Sequence, residues 1–192
     1  MLDHKASFSI YMAHGGTTFG TYNGANAPPF IPQTSSYDYD APINESGQAT
    51  EKFHSIRNLL SNYLQQGESI PNIPAPFPAQ QISNFQFSQI APLWKNLPKP
   101  VQNDTLMLME DLDQAYGAVL YQTKLQAGNK AKLRFKNVND YALVYVNKVF
   151  IGTLDRIKAD STIEIPQREK AALLEILVEA TGRINYGRYI HD

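Results

Sequence analysis

The sequence predicts two classes of structure in succession, an α/β segment and then an all-β region. Residues 7–12 are apolar and aromatic and are followed by Gly15-Gly16, which is typical of a buried strand that ends in a loop. Apolar residues then recur with helical periodicity over residues 50–66. Beyond residue 116 the pattern changes to short β-prone stretches separated by turns. We therefore expect one strand–loop–helix unit followed by an antiparallel β-sandwich.

Length and composition restrict the classes of partner. A chain of 192 residues can form one large domain or two small ones. Its 17 Lys and Arg against 18 Asp and Glu give a formal charge of -1, which predicts no nucleic-acid partner. The absence of Cys excludes disulfides and thiolate metal sites. The sequence has no apolar run of about 18 residues, so we expect no membrane span.

A long irregular segment follows the first predicted strand. Residues 14–42 are rich in Gly, Asn, Thr, Ser, Pro and Tyr, a composition that favours turns. Connections of this length are usually functional or disordered. The segment contains several aromatic residues, which disordered segments lack. The composition therefore predicts an ordered loop that forms a site.

The predicted helix covers residues 50–66. Its apolar side chains recur at intervals of three, four and seven, at Phe53, Ile56, Leu59, Leu60, Tyr63 and Leu64. Thr50 is expected at the N-cap and Gly67 just beyond the C-terminal end. Together with the strand at residues 7–12, this helix completes one βα unit of an α/β architecture.

A proline-rich stretch separates the helix from the predicted strands. Four prolines within residues 70–78 impose an extended path. The predicted strands that follow are residues 117–125, 131–138, 141–147, 149–154, 161–165 and 171–179. The last stretch also fits a helix, but its neighbours favour a strand. The predicted division is residues 1–69, a linking segment at 70–115, and a β-sandwich at 116–192.

Three stretches resemble glycoside hydrolases of family 35, in the order that the family has them. The first is residues 7–19 with Asn23-Gly24-Ala25-Asn26. The second is residues 34–43, which include Tyr37-Asp38-Tyr39-Asp40-Ala41-Pro42, with Glu45, Gly47 and residues 50–53 behind it. The third is Leu177-Val178-Glu179 followed by Gly182-Arg183-Ile184-Asn185-Tyr186-Gly187. Together they span nearly the whole chain, so the resemblance is specific.

The resemblance implies a fold and an activity. In this family a (β/α)8 TIM barrel hydrolyses terminal β-linked galactose of oligosaccharides or glycoconjugates with retention, without a cofactor. Residues 7–12 match the last barrel strand, so this chain would carry a truncated barrel. The β-region matches a galactose-binding-like jelly roll, incomplete at its C-terminus. Both catalytic glutamates would lie upstream of Met1, which leaves no catalytic residue in this chain. The implied compartment is periplasmic, extracellular or lysosomal.

The resemblance also nominates site residues. Tyr39 matches a tyrosine that lines the galactose subsite, and Tyr22 falls where the family places aromatic residues near the sugar. His14, Asn26, Asp38 and Asp40 are expected to support the site. From the residues alone, Asp38 and Asp40 share a face of one segment, but such neighbours cannot easily flank opposite sides of a sugar ring. They are expected to hold the loop instead.

His14 is expected to be a structural, hydrogen-bonded histidine. The sequence offers no second His or Cys at ligand spacing, so we predict no metal site. The expected partners are a β-galactoside saccharide and the missing barrel portion of the same polypeptide. The alternatives are a non-catalytic carbohydrate-binding module and a structural β-sandwich. An exposed apolar face on residues 50–66 and on residues 7–12 would favour a galactosidase fragment over both alternatives, because the missing barrel neighbours would normally cover that face.

Overall fold

The computed structural model describes residues 1–33 and 35–191. Thr34, which begins the second resembling stretch, therefore lies outside the described residues. The chain divides into two compact units, and each unit is built from two separate segments. The first contains Met1–His14 and Ala41–Asp113, and the second contains Gly15–Asp40 and Gln114–Asp192.

The first unit contains one α-helix, α1, which spans Glu51–Ser61. Thr50 caps its N-terminus as predicted, because its hydroxyl accepts a hydrogen bond from the backbone N–H of Phe53. The predicted end at residue 66 is wrong. Ser61 and Asn62 bond with their side chains to the carbonyl of Asn58, and such side-chain bonds compete with continued helix.

The predicted strand at residues 7–12 is not formed, so that prediction is wrong for this chain. A strand needs a hydrogen-bonded neighbour, and no described residue pairs with this segment. Its side chains, including Phe8, Ile10 and Tyr11, are largely exposed. The barrel that the resemblance implies therefore stays a prediction.

The rest of the first unit is mainly irregular. Short 3₁₀ turns occur at Leu2–His4, Leu93–Lys95 and Glu110–Leu112. The proline-rich stretch at residues 70–78 has no regular structure, as its composition predicts.

The second unit is all-β. Its strands are β1 (Gly24–Asn26), β2 (Ile31–Pro32), β3 (Ala118–Leu125), β4 (Ala131–Arg134), β5 (Tyr141–Val146), β6 (Val149–Asp155), β7 (Thr162–Ile165), β8 (Ala172–Glu179) and β9 (Arg183–Ile184). One sheet has the order β3-β8-β5-β6, a second pairs β4 with β7, and a third has the order β2-β1-β9. The first two sheets are antiparallel throughout. The predicted all-β class is confirmed, and the strand reading of residues 171–179 is correct.

The core lies between the four-stranded sheet and the β4–β7 pair. Along β5 the side chains alternate between half-buried and buried, as expected for a strand with one face on the core. The buried cluster is Ala142, Val144, Val146, Leu154, Ile165, Ala172 and Leu174. The cluster contains residues of both sheets, which supports the predicted β-sandwich, while its description as a jelly roll stays a prediction.

Candidate functional site

The candidate site is carried by Gly15–Asp40, which we call the Tyr39 loop. Antiparallel backbone hydrogen bonds close the loop at its base. The N–H of Thr18 donates to the carbonyl of Ser35 at 2.8 Å, and the N–H of Tyr37 donates to that of Gly16 at 2.9 Å. The structure thus confirms that this segment is ordered by specific contacts, as its composition predicts.

Side-chain hydrogen bonds cross-link the interior of the Tyr39 loop. The amide of Gln33 donates to the hydroxyl of Thr18 at 2.8 Å, and the amide of Asn23 donates to the carbonyl of Gln33 at 2.9 Å. The backbone N–H of Gln33 donates to the carbonyl of Gly24 at 2.9 Å. The last two of these bonds satisfy backbone groups that a loop would otherwise leave to water.

A parallel strand pair joins the Tyr39 loop to the end of the β-sandwich. Gly24 and Ala25 of β1 lie opposite Arg183 and Ile184 of β9. A Cβ on Gly182 would lie 2.4 Å from the carbonyl oxygen of Gly24, so only glycine allows this approach. The first and third resembling stretches are therefore neighbours in space, although more than half of the chain separates them.

Tyr39 presents its ring to solvent. The side chain is 70% exposed, and its ring meets that of Tyr37 edge to face with centroids 4.9 Å apart. Tyr39 and Asp40 both have left-handed backbone, with φ of 43° and 61°. Two successive non-glycine residues rarely adopt this conformation, and such strain concentrates at functional sites.

Tyr22 belongs to a different aromatic pair. Its ring centroid lies 4.6 Å from that of Tyr116, and the side chain is 67% exposed. Asn26 is exposed at the end of β1, opposite Ile31 of β2. The two tyrosines nominated from the sequence are thus both exposed rings, each supported by another tyrosine.

The nominated polar residues take different positions. Asp38 is half-buried and Asp40 is exposed, and they are separated by one residue of a left-handed turn. His14 belongs to the first unit, where its Nε2 lies 3.5 Å from the carbonyl oxygen of Glu45. Among residues 1–33 and 35–191, no group of three His, Asp or Glu side chains is arranged to hold a metal ion.

A buried carboxylate that the sequence did not single out, Asp140, lies immediately before β5. Asp140 is 4% exposed and accepts hydrogen bonds from the guanidinium of Arg156 at 2.9 Å and from the N–H of Thr181 at 3.0 Å. The guanidinium carbon of Arg156 lies 4.2 Å from the ring centroid of Phe30 in the Tyr39 loop. The sequence signal was only an Asn-Asp turn before a strand, which is common at solvated turns.

The first unit has an apolar cleft beside α1. Its volume is about 560 Å³, and its lining includes Ile10, Phe53, Ile56 and Leu60. Two residues beyond the end of α1, the hydroxyl of Tyr63 donates a hydrogen bond to Asp3, which raises the pKa of Tyr63 above its ordinary value. The described part of the chain has no helix long and apolar enough to cross a membrane.

Comparison with known proteins decides the family. A model of the glycosyl hydrolases of family 35 matches residues 1–63, and a model of the first all-beta domain of beta-galactosidase matches residues 107–192. The chain belongs to glycosyl hydrolase family 35. The resemblance inferred from the three stretches is therefore confirmed.

The relatives of this family 35 chain are similar over nearly all of it. A beta-galactosidase of Xanthomonas manihotis is 37% identical over 97% of the chain and 32% of its own length. Beta-galactosidase-1-like protein 3 of Mus musculus is 36% identical over 96% of the chain and 29% of its own length. A beta-galactosidase of Homo sapiens is 35% identical over the whole chain and 29% of its own length. The chain thus spans about a third of the length of these curated relatives.

Proposed function

We propose that this chain is part of a retaining exo-β-galactosidase that removes terminal β-linked galactose. Membership of family 35 and relatives named beta-galactosidases support a glycosidase function. The observation on this chain that supports the proposal is the exposed ring of Tyr39. The residue lies in a turn with left-handed backbone, within the family's Tyr-Asp-Tyr-Asp-Ala-Pro stretch. The ring covers an apolar face of the sugar, and the hydroxyl bonds a sugar hydroxyl.

The proposal assigns no catalytic carboxylate to this chain. Retention requires an acid/base and a nucleophile about 5 Å apart on opposite sides of the anomeric carbon. Asp38 and Asp40 are separated by one residue of one turn, which is a poor arrangement for flanking a sugar ring. On the family resemblance, the proposal assigns both glutamates to other strands of the barrel, outside these 192 residues. Tyr22 serves as a second aromatic contact near the sugar, and Asn26, Asp38, Asp40 and His14 support the site.

Besides the β-galactoside saccharide, the proposal gives this chain a second partner, the remainder of the barrel. No residue of α1 is buried, and the apolar cleft beside the helix includes Ile10 of the segment that matches a barrel strand. Apolar surface of this kind normally lies against another part of a protein. Upstream barrel elements would cover the cleft and give residues 7–12 a strand neighbour. The proposed compartment is periplasmic, extracellular or lysosomal.

The test is hydrolysis of a chromogenic β-galactoside by the 192-residue chain and by a polypeptide extended upstream through the barrel. We expect activity only in the extended form. Tyr39→Phe should reduce kcat/KM by about tenfold, the cost of one hydrogen bond to the sugar. Tyr186→Phe is the matched control, because Tyr186 is also exposed but lies outside the Tyr39 loop. Activity of the short chain that Asp38→Asn or Asp40→Asn abolishes would overturn the assignment.

A further inference from the structure

We infer that Asp140 and Arg156 are positioning residues that hold the Tyr39 loop against the β-sandwich at two points. This inference rests on the proposed function, because the loop carries the tyrosine assigned to the sugar. It concerns residues outside the three resembling stretches. The first point of attachment is the β1–β9 pair, and the second is the ring of Phe30.

Asp140 is a buried charge with an unusually full set of partners. Its Oδ1 accepts from Arg156, and its Oδ2 accepts from the N–H and the hydroxyl of Thr181 and from the N–H of Gly182. Burying a carboxylate is costly unless hydrogen bonds and an opposite charge compensate it. The partners of Asp140 supply both, so the carboxylate fixes the relative positions of Arg156 and the turn at residues 181–182.

The turn at residues 181–182 leads directly into β9. Gly182 lies against the carbonyl of Gly24, and the N–H of Arg183 donates to the carbonyl of Asn23 at 3.1 Å. A small displacement of the turn therefore changes the register of β9 on β1 or the distance between the two strands. Through the turn, Asp140 determines where the first half of the Tyr39 loop is held.

Arg156 reaches the same loop from β6. It follows the last residue of that strand, and its backbone N–H donates to the carbonyl of Asp140 at 2.9 Å. Only 17% of its side chain is exposed, and its guanidinium lies over the Phe30 ring. A cation over an aromatic face is attracted more strongly when it is shielded from water. Phe30 precedes β2, so this contact holds the loop between β1 and β2.

One carboxylate thus organises both attachments. If the contacts only stabilised the sandwich, their loss would loosen the core and the loop together. If they position the loop, their loss releases the loop while the core stays protected. Hydrogen exchange of backbone amides distinguishes these cases because it reports local opening separately for each segment.

The first experiment measures amide hydrogen exchange in the 192-residue chain. Arg156→Gln is expected to raise exchange about tenfold over residues 19–33 and to leave β5 and β8 unchanged. Arg156→Lys should restore most of the protection, because it keeps a cation for both Asp140 and Phe30. Lys158→Gln is the matched control, since Lys158 is 69% exposed in its side chain and pairs with Asp155. Exchange in Arg156→Gln that matches this control, or that rises equally in the core, overturns the inference.

A second variant protects the test against a folding defect. Phe30→Leu keeps an apolar side chain but removes the ring, and Asp140 and its turn are untouched. We expect faster exchange over residues 27–33 and unchanged exchange over residues 181–185. Unchanged exchange over residues 27–33 would show that the contact between Arg156 and Phe30 does not hold the loop.

The activity of the barrel-extended polypeptide reports whether the Tyr39 loop keeps its sugar-binding residue in position. Phe30→Leu should raise KM for the chromogenic galactoside about threefold and change kcat less than about twofold, because it displaces a binding residue and not the catalytic pair. An unchanged KM in spite of a loosened loop overturns the positioning role. An inactive parent overturns the proposed function instead, and the exchange results still decide whether the loop is held in this way.

Discussion

Gly15 and the carbonyl of Tyr37 approach so closely that a Cβ built on Gly15 would lie 1.6 Å from the Tyr37 oxygen. This contact stands at the base of the Tyr39 loop, next to the hydrogen bond from Tyr37 to Gly16. The oxygen belongs to the backbone, so it cannot move aside as a flexible side chain would. The approach explains why a glycine is required here.

Gly15→Ala is expected to open the base of the Tyr39 loop. The methyl group must displace the chain at Tyr37, and forced repacking of this kind typically costs about 1–3 kcal/mol. Urea unfolding should show the lost stability, and amide exchange should rise at Thr18 and Tyr37. Gly128→Ala is the control, because the nearest atom there is the end of the Arg168 side chain at 3.5 Å. Equal behaviour of the two variants would contradict the explanation.

Glu175→Gln is expected to destabilise the sandwich. Glu175 is 1% exposed; its Oε1 accepts from the amide of Gln122 at 3.0 Å, and its Oε2 accepts from the N–H of Lys148 at 3.1 Å. A glutamine keeps one acceptor, so its NH₂ group faces a donor. Leaving a buried donor unsatisfied costs about 1–3 kcal/mol, which urea unfolding can measure.

Glu179→Gln is the control for this substitution. Glu179 lies in the same strand, β8, but is exposed, so its replacement should change the free energy of unfolding by less than about 0.5 kcal/mol. If Glu175→Gln were as stable as this control, the two hydrogen bonds to Glu175 would have no net role in stability.

Thr50→Ala is expected to weaken the start of α1. The hydroxyl of Thr50 accepts from the N–H of Phe53 at 3.4 Å and donates to the carbonyl of Pro42 at 2.8 Å. Loss of an N-cap side chain costs about 0.5–2 kcal/mol, and the long cap bond favours the lower end. Far-ultraviolet circular dichroism should show less helix at a given urea concentration. Thr50→Ser keeps the hydroxyl and should behave like the parent; a loss in both would exclude capping as the cause.

The pKa of Glu164 should depend on Lys130. A hydrogen bond and the charge of Lys130, whose Nζ lies 2.6 Å from Oε2 of Glu164, lower the pKa of that carboxyl below its ordinary value of 4.5. A carboxylate with a lowered pKa stabilises the folded state above its unfolded pKa, and this contribution is lost as the pH falls through the folded pKa. Lys130→Gln should raise the pKa in a carboxyl-carbon NMR titration, whereas Lys136→Gln should not. Both partners are well exposed, so the effect on stability is small.

Local sequence signals predicted the strands of the β-sandwich and the start of α1. The β-prone composition of residues 141–146 predicts β5, and the two-residue turn at Asn147 and Lys148, both with positive φ, joins it to β6. Thr50 marks the start of α1 because a cap needs only its own first turn. The motifs of the candidate site were equally visible, because a family pattern is read directly from residue identity.

The two failures have different physical causes, the need of a strand for a partner segment and local side-chain competition at the end of a helix. Residues 7–12 have strand composition but form no strand, because a strand exists only when another segment supplies its hydrogen bonds. The early end of α1 depends on side-chain bonds at Ser61 and Asn62 that compete with propensity.

By itself the sequence determined the family, the order of a helical segment and an all-β region, and which tyrosines are candidates for a sugar site. Only the tertiary structure decided that the Tyr39 loop belongs to the all-β unit and that Asp140 pairs with Arg156, whose guanidinium lies over Phe30 of the loop. A motif is a property of neighbouring residues, whereas the β1–β9 pair and the contact of Arg156 with Phe30 join segments far apart in the chain. Such contacts form only when the whole chain folds and brings these segments together, so a pattern of neighbouring residues does not predict them.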